Sequence, residues 1–195
     1  MYLIKSQQII SEHFAEHQAL INHIGEAISD QIASFARTIS TALANDSTVF
    51  WCGNGGSAAD SQHLAAELVG RFKEDRRPLR SVALTTDTSV LTCVANDYSY
   101  EDVFARQVEA LSRPGDVLVG ISTSGQSENI LRAVKMAQSL GLKTLGLLGK
   151  DGGLAKDLVD EVIVIPSTST ARIQEAHILI GHILCDLIEQ ELGLA

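Results

Sequence analysis

Four hydroxyls fall within the six residues Ser122 to Ser127 of the stretch Gly120-Ile-Ser-Thr-Ser-Gly-Gln-Ser-Glu-Asn129: Ser122, Thr123, Ser124 and Ser127. Gly125 permits a tight turn among them, and a helix-like segment, Ile130 to Leu140, follows. Hydroxyls and free N–H groups at a helix start wrap phosphate oxygens, and the helix dipole favours the anion. Ordinary N-capping needs only one Ser or Thr, so this stretch reads as a phosphate seat. A second turn, Cys52-Gly-Asn-Gly-Gly-Ser57, joins an apolar run to the Ala- and Leu-rich segment Ala58 to Val69. Asn54, Gly55, Gly56 and Ser57 there form a cradle for a polar ligand. The turn also matches G-x-G-x-x-A, but no acidic residue ends the next strand about 20 residues on, as ribose recognition requires. Asn96-Asp97 reads as an Asx turn or a hydroxyl-binding pair.

Titratable groups lie on two segments far apart in the chain. His63 and Glu67 stand at i,i+4 and share a helix face, an arrangement that is ordinarily just a solvated surface. Near the end, Gln174-Glu-Ala-His177 and His182 offer further candidates. Gln174 and His177 share a face at i,i+3, and His182 lies about 80° from Gln174 around the helix. Spacing alone does not choose between the two histidines. Two helix-borne pairs together would make a His/Glu/Gln/His cluster, a zinc set in which Gln is the unusual member.

The elements that must carry these groups show in the apolar pattern. From about Leu3 to Ala44, apolar residues recur at threes and fours, predicting two helices with a break near Gly25 or earlier. Apolar runs follow at 48–52, 81–85, 116–122, 143–148 and 161–165, each of the first four trailed by a helix-like segment. A last helix is expected from about Ala171 to Leu192. Continuous apolar strands alternating with helices predict a single doubly wound, flavodoxin-like α/β fold: a five-stranded parallel sheet flanked by helices. The expected organisation is one domain over 1–195, with N-terminal helices to 45 and the sandwich from 46. Ligands in such folds bind beyond the carboxyl ends of the strands, which directs attention to the loops after strands 1, 2, 3 and 5.

Composition sets the class. The 195 residues are 45% hydrophobic and 20% charged, with a formal net charge of −9. That balance argues against nucleic acid as partner and leaves room for a small phosphorylated ligand. Three scattered cysteines, Cys52, Cys93 and Cys185, suggest neither a disulfide framework nor a thiolate zinc site, so a reducing, cytoplasmic setting is expected. The N-terminus lacks a basic then apolar leader pattern. The apolar run Ile178 to Ile188 is too short for a membrane span and carries His182 and Asp186.

Taken together, Cys52-Gly-Asn-Gly-Gly-Ser57, Gln62-His63, Glu67, Ala95-Asn-Asp97, Gly120-Ile-Ser-Thr-Ser-Gly125 and Arg172-Ile-Gln-Glu-Ala-His177 closely resemble the phosphoheptose isomerases of the sugar-isomerase fold family. The resemblance covers nearly the whole chain. It implies a homotetramer with active sites at subunit boundaries. The implied reaction converts sedoheptulose 7-phosphate to D-glycero-D-manno-heptose 7-phosphate, feeding heptose synthesis for lipopolysaccharide or another surface glycan. By motif it implies substrate contacts from Asn54, Gly55, Gly56, Glu67, Asn96, Asp97 and Gln174. Ser122, Thr123, Ser124 and Ser127 would hold the phosphate, assisted by Ser57. Glu67 and His182 match the acid/base pair, and His63, Glu67, Gln174 and His182 the zinc ligands, one zinc per subunit. Two alternatives remain: an isomerase of another sugar phosphate, or a non-catalytic binding protein like the family's replication initiator-associating factor, which lacks the Glu and second His present here.

Overall fold

Why the ligand-bearing loops meet follows from the strand order. The computed structural model describes residues 2–195 (Met1 lies outside them) and holds five parallel strands in the order β2-β1-β3-β4-β5. These are β1 (Val49–Gly53), β2 (Ser81–Ala83), β3 (Val117–Ser122), β4 (Lys143–Gly149) and β5 (Glu161–Ile165). The chain runs outward from β1 to β2, then returns across β1 to β3. The loops after β1 and β3 therefore diverge to opposite faces and leave a crevice between them. Strands β1 and β3 are adjacent over their whole length, from Val49 beside Val117 to Gly53 beside Ile121. Both are buried throughout, which is why their sequences are continuously apolar.

Alternate residues of these strands feed two cores. Val49, Trp51, Val117, Val119, Ile121, Leu145 and Ile163 pack against α2 (Ser29–Ala44), α3 (Gly56–Val69) and α7 (Thr170–Glu191). Phe50, Cys52 and Leu118 face the opposite layer, built from α4 (Thr88–Asp97), α5 (Ala105–Leu111) and α6 (Glu128–Ser139). The N-terminal α1 (Tyr2–Ile24) precedes α2, with the break at Gly25 as the pattern predicts. Trp51 is 1% exposed and spends its indole N–H on Ser81 Oγ at 2.9 Å, tying β1 to β2.

Three expectations need correction. The second strand is only Ser81–Ala83, and the segment beyond it is not one helix but α4, a 3₁₀ turn at Tyr100–Asp102, and α5. No α-helix follows β4: Gly152 and Gly153 take φ of +90° and +53°, and only a 3₁₀ turn, Leu154–Asp157, fits before β5. Asn96 and Asp97 are not an Asx turn; they are the last two residues of α4. Among the described residues, no helix is long and apolar enough to cross a membrane.

Candidate active site

α3 and α7 approach closely because residue 181 is glycine. A Cβ there would stand 2.5 Å from Leu64 Cδ2 and 2.7 Å from its Cδ1. The neighbours of that crossing are His63 and His182, and their Nε2 atoms lie 3.0 Å apart. One turn along α3, Glu67 Oε1 is 3.2 Å from His63 Nε2. His63, Glu67 and His182 each bring one ligand atom to within 4.8 Å of the others. Zinc bonds of about 2.0–2.1 Å in tetrahedral array separate donors by roughly 3.3 Å, so this donor set and its spacing suit such an ion.

The two histidines that spacing left equivalent have different jobs. His177 points into the core, is fully buried, and lies 3.1 Å from the Leu148 carbonyl through Nε2. Burial lowers its pKa to about 4, against the opposing hydrogen bond to Leu148, so it is a neutral tether between α7 and β4. His182 alone reaches His63. Gln174, two turns earlier on α7, lies against the glycine turn. Its amide Nε2 is 2.2 Å from where a Cβ on Gly56 would stand.

The glycine turn is shaped by Gly55, whose φ of +55° places it in the left-handed region that glycine tolerates best. No side chain caps α3; the N–H groups of Ser57 and Ala58 donate instead to the carbonyls of Asn54 and Gly55, at 3.0 and 3.1 Å. Ser57 is buried just behind, its carbonyl accepting from Ser61 Oγ at 2.8 Å. Asp60 follows on α3, with Oδ2 buried and unpartnered. Desolvation pushes its carboxyl up to about 6, while the charge of His63 pulls the other way.

Across the crevice, the hydroxyl loop holds itself open with its own side chains. Ser122 Oγ accepts the Gly125 N–H at 3.0 Å, and Ser124 Oγ accepts the Gln126 N–H at 3.2 Å. Ser127 occupies the N-cap of α6, yet its hydroxyl makes no capping bond and instead lies 3.4 Å from Ser122 Oγ. Thr123 sits half-buried between them. Gly125 takes φ +62°, and a Cβ there would be 1.9 Å from the Gly152 carbonyl oxygen. The loop is thus braced against the Gly152–Gly153 turn after β4.

Two contributors escape a reading by motif. Asn129, 3% exposed in the first turn of α6, exchanges both amide hydrogen bonds with Asn54 at 2.9 Å each. Tyr100 donates its hydroxyl to Asn54 Oδ1 at 2.9 Å. This pair latches the glycine turn to the hydroxyl loop. The available signal was Asn129 itself, a polar residue on the apolar side of a helix start. Asn96 and Asp97 are exposed, and their hydrogen bonds are local: Asn96 Nδ2 donates to Asp97 Oδ1 at 2.8 Å. The structure does not bring them into contact with the other candidate residues.

A doubly wound sheet with a hydroxyl loop, a glycine turn and a helix-borne His/Glu/His cluster at its switch point defines an α/β enzyme of the sugar-isomerase class. The sequence profile of the SIS domain matches residues 12–149. The chain belongs to this family, in the branch of the phosphoheptose isomerases. It is 56% identical over 181 residues to the phosphoheptose isomerase of Nitratiruptor sp., covering 93% of this chain and 97% of that one. The solved phosphoheptose isomerase of Neisseria gonorrhoeae is 44% identical with TM-score 0.90, covering 94% of this chain and 98% of that one. That of Francisella tularensis is 38% identical with TM-score 0.92, covering 95% and 98%.

Proposed function

We propose that the protein interconverts sedoheptulose 7-phosphate and D-glycero-D-manno-heptose 7-phosphate, using its whole length as one SIS domain. The observation that carries this reading is the His63–Glu67–His182 cluster, carried in part by the same α3 that opens at the glycine turn, which Asn54 and Asn129 tie to the helix after the hydroxyl loop. The phosphate is held by Ser122, Thr123, Ser124 and Ser127 and the start of α6. Asn54, Gly55, Gly56, Ser57 and Gln174 hold the sugar oxygens.

An aldose–ketose interconversion moves a proton between adjacent carbons through an enediolate-like state. One group takes the carbon-bound proton and a second handles the proton on the neighbouring oxygen, each contributing about 10²–10⁴-fold. Glu67 and His182 supply this carboxylate and imidazole. A zinc ion held by His63, Glu67, Gln174 and His182 would supply Lewis-acid stabilisation of charge developing on the sugar oxygens. Latching of the glycine turn to the hydroxyl loop through Asn54 and Asn129 keeps the two ends of the substrate site in register.

The same reading places the enzyme in the cytoplasm, at the start of heptose synthesis for lipopolysaccharide or another surface glycan, as a homotetramer. Support for assembly comes from α1, which leaves Ile9, Ile10 and Phe14 exposed by 46%, 56% and 74%. The test is purified protein incubated with sedoheptulose 7-phosphate, with and without added zinc, alongside metal analysis of untreated protein. Heptose 7-phosphate should form, and Glu67→Gln and His182→Gln should each abolish turnover in folded protein. No turnover under either condition would favour a binding role instead.

A further inference from the structure

Arg76, in the segment between α3 and β2, makes a buried ion pair with Glu189 of α7 that none of the chemistry above uses. Arg76 and Glu189 have side chains only 2% and 0% exposed, with Arg76 Nε 2.8 Å from Glu189 Oε1. Arg76 also donates to the carbonyls of Glu67 and Leu68 at 2.8 Å each and of Arg77 at 3.0 Å. Glu189 accepts the backbone N–H groups of Phe72 at 3.1 Å and Lys73 at 3.3 Å. Burial alone raises the Glu189 carboxyl. The hydrogen bonds from the Phe72 amide, Arg76 and the Lys73 amide outweigh burial and hold it below the usual carboxylate range.

Two of the groups this pair grips belong to the metal-type cluster or touch it. On one side it holds the carbonyl of Glu67. On the other it fixes the backbone of Phe72, whose ring stacks on His182 with centroids 5.5 Å apart and planes 23° apart. Lys73 Nζ lies 5.7 Å from the Phe72 ring centre and bonds Asp186 Oδ2 at 2.6 Å, closing the segment onto α7. A buried ion pair is a poor device for raw stability, because desolvation offsets most of its attraction. Its value lies in the geometry it imposes.

We infer that Arg76 and Glu189 are positioning residues for the active site: they set the separation of Glu67 on α3 from His182 on α7 and hold the Phe72 ring against the His182 imidazole. The inference rests on the reading above for what the site does, but the clamp itself is built from protein groups alone. Ligand-orienting neighbours of this kind change metal affinity by about 10–100-fold when removed.

The test uses Phe72→Leu, which keeps apolar volume without a ring, Phe72→Tyr as the conservative control, and the paired variant Arg76→Met/Glu189→Leu, which removes both charges together. Three quantities are read: zinc affinity by competition with a chelator, kcat and KM, and the NMR shift of the His182 ring protons without metal. Phe72→Leu should weaken zinc binding by about 10–100-fold. It should lower kcat about tenfold with KM nearly unchanged and move the His182 ring protons downfield as shielding by the stacked ring is lost. Phe72→Tyr should restore all three. The paired variant should reproduce the Phe72→Leu pattern. If it folds with wild-type zinc affinity, kcat and His182 shift, the proposal is wrong; if it fails to fold, Arg76→Lys, which keeps the charge but loses the planar fork, decides by the same three readouts. Should the wild type prove neither to bind zinc nor to isomerise, the functional reading fails first. The His182 shift then still decides: unchanged in Arg76→Met/Glu189→Leu overturns the clamp, and displaced upholds it.

Discussion

Replacing Gly56 with alanine separates the site from the fold more cleanly than removing any ligand. Gly56 opens α3 and its φ is not in the left-handed region, so the backbone accepts a side chain there. The added methyl would stand 2.2 Å from Gln174 Nε2, 2.7 Å from Cδ and 3.0 Å from Oε1. Ordinary contact begins near 3.4 Å, so Nε2 must retreat by about 1.2 Å, the difference between 3.4 and 2.2 Å. The obstructed atoms are the far end of a flexible side chain, so they swing away at little cost to stability. A positional error of about 1 Å in a substrate- or metal-holding group costs on the order of 10²-fold in rate, or about 2.7 kcal/mol of transition-state stabilisation. Gly56→Ala should therefore melt within about 2 °C of wild type while kcat/KM falls about 10²-fold. The double variant Gly56→Ala/Gln174→Ala should be no worse than Gln174→Ala alone, since both changes remove one amide from one place. Full activity in Gly56→Ala, or additive losses in the double variant, would refute the placement of Gln174 in the site.

Three other outcomes follow from the geometry. Gly125→Ala combines a left-handed backbone with a methyl pressed on the Gly152 carbonyl; a loss of about 3 kcal/mol, or roughly 10 °C in Tm, is expected, and a Tm within 2 °C would show that the loop relaxes freely. Asn129→Asp keeps the shape of the Asn54 latch but sets a carboxylate beside the hydroxyl loop, so KM for a phosphorylated substrate should rise about tenfold; an unchanged KM would remove Asn129 from the phosphate side. His177, held near pKa 4 in the fold against 6.5 as its ordinary value, is protonated first in the unfolded chain as pH falls. Its contribution is intact above about pH 6.5 and is progressively lost towards pH 4, reaching about 3 kcal/mol. Denaturant melts at pH 7 and pH 4.5 should therefore differ less in His177→Gln than in wild type, and equal differences would count against the buried neutral imidazole.

The strands were legible because β1, β3 and β4 are buried on both faces, and a continuous apolar run is what such burial demands. Between β2 and β3 the pattern goes silent. α4 buries only Val94, so no apolar stripe marks it, and tertiary placement decides its form. The absent helix after β4 had a local cause in Gly152-Gly153, whose positive φ values end any helix. The hydroxyl loop and glycine turn stand out as candidate ligand seats from residue types alone. The choice of His182 over His177 does not, because two positions on one helix differ only in which neighbour each meets. Asn129 with Asn54, Tyr100 with Asn54, and Glu189 with Arg76 are likewise pairings made by the fold between distant segments, to which no periodicity points.

Two of the candidate ligands, Gln174 and His182, are borne by α7, more than a hundred residues after His63 and Glu67. During synthesis, which proceeds at roughly 5–20 residues per second, β1, the glycine turn and α3 are made several seconds before their counterpart exists. A chain interrupted before Thr170 would carry His63 and Glu67 on a bare surface, with neither His182 to complete the cluster nor Glu189 to neutralise Arg76. Placing His182 on the last helix thus acts as a completeness check: the His63–Glu67–His182 cluster exists only once the final helix has docked.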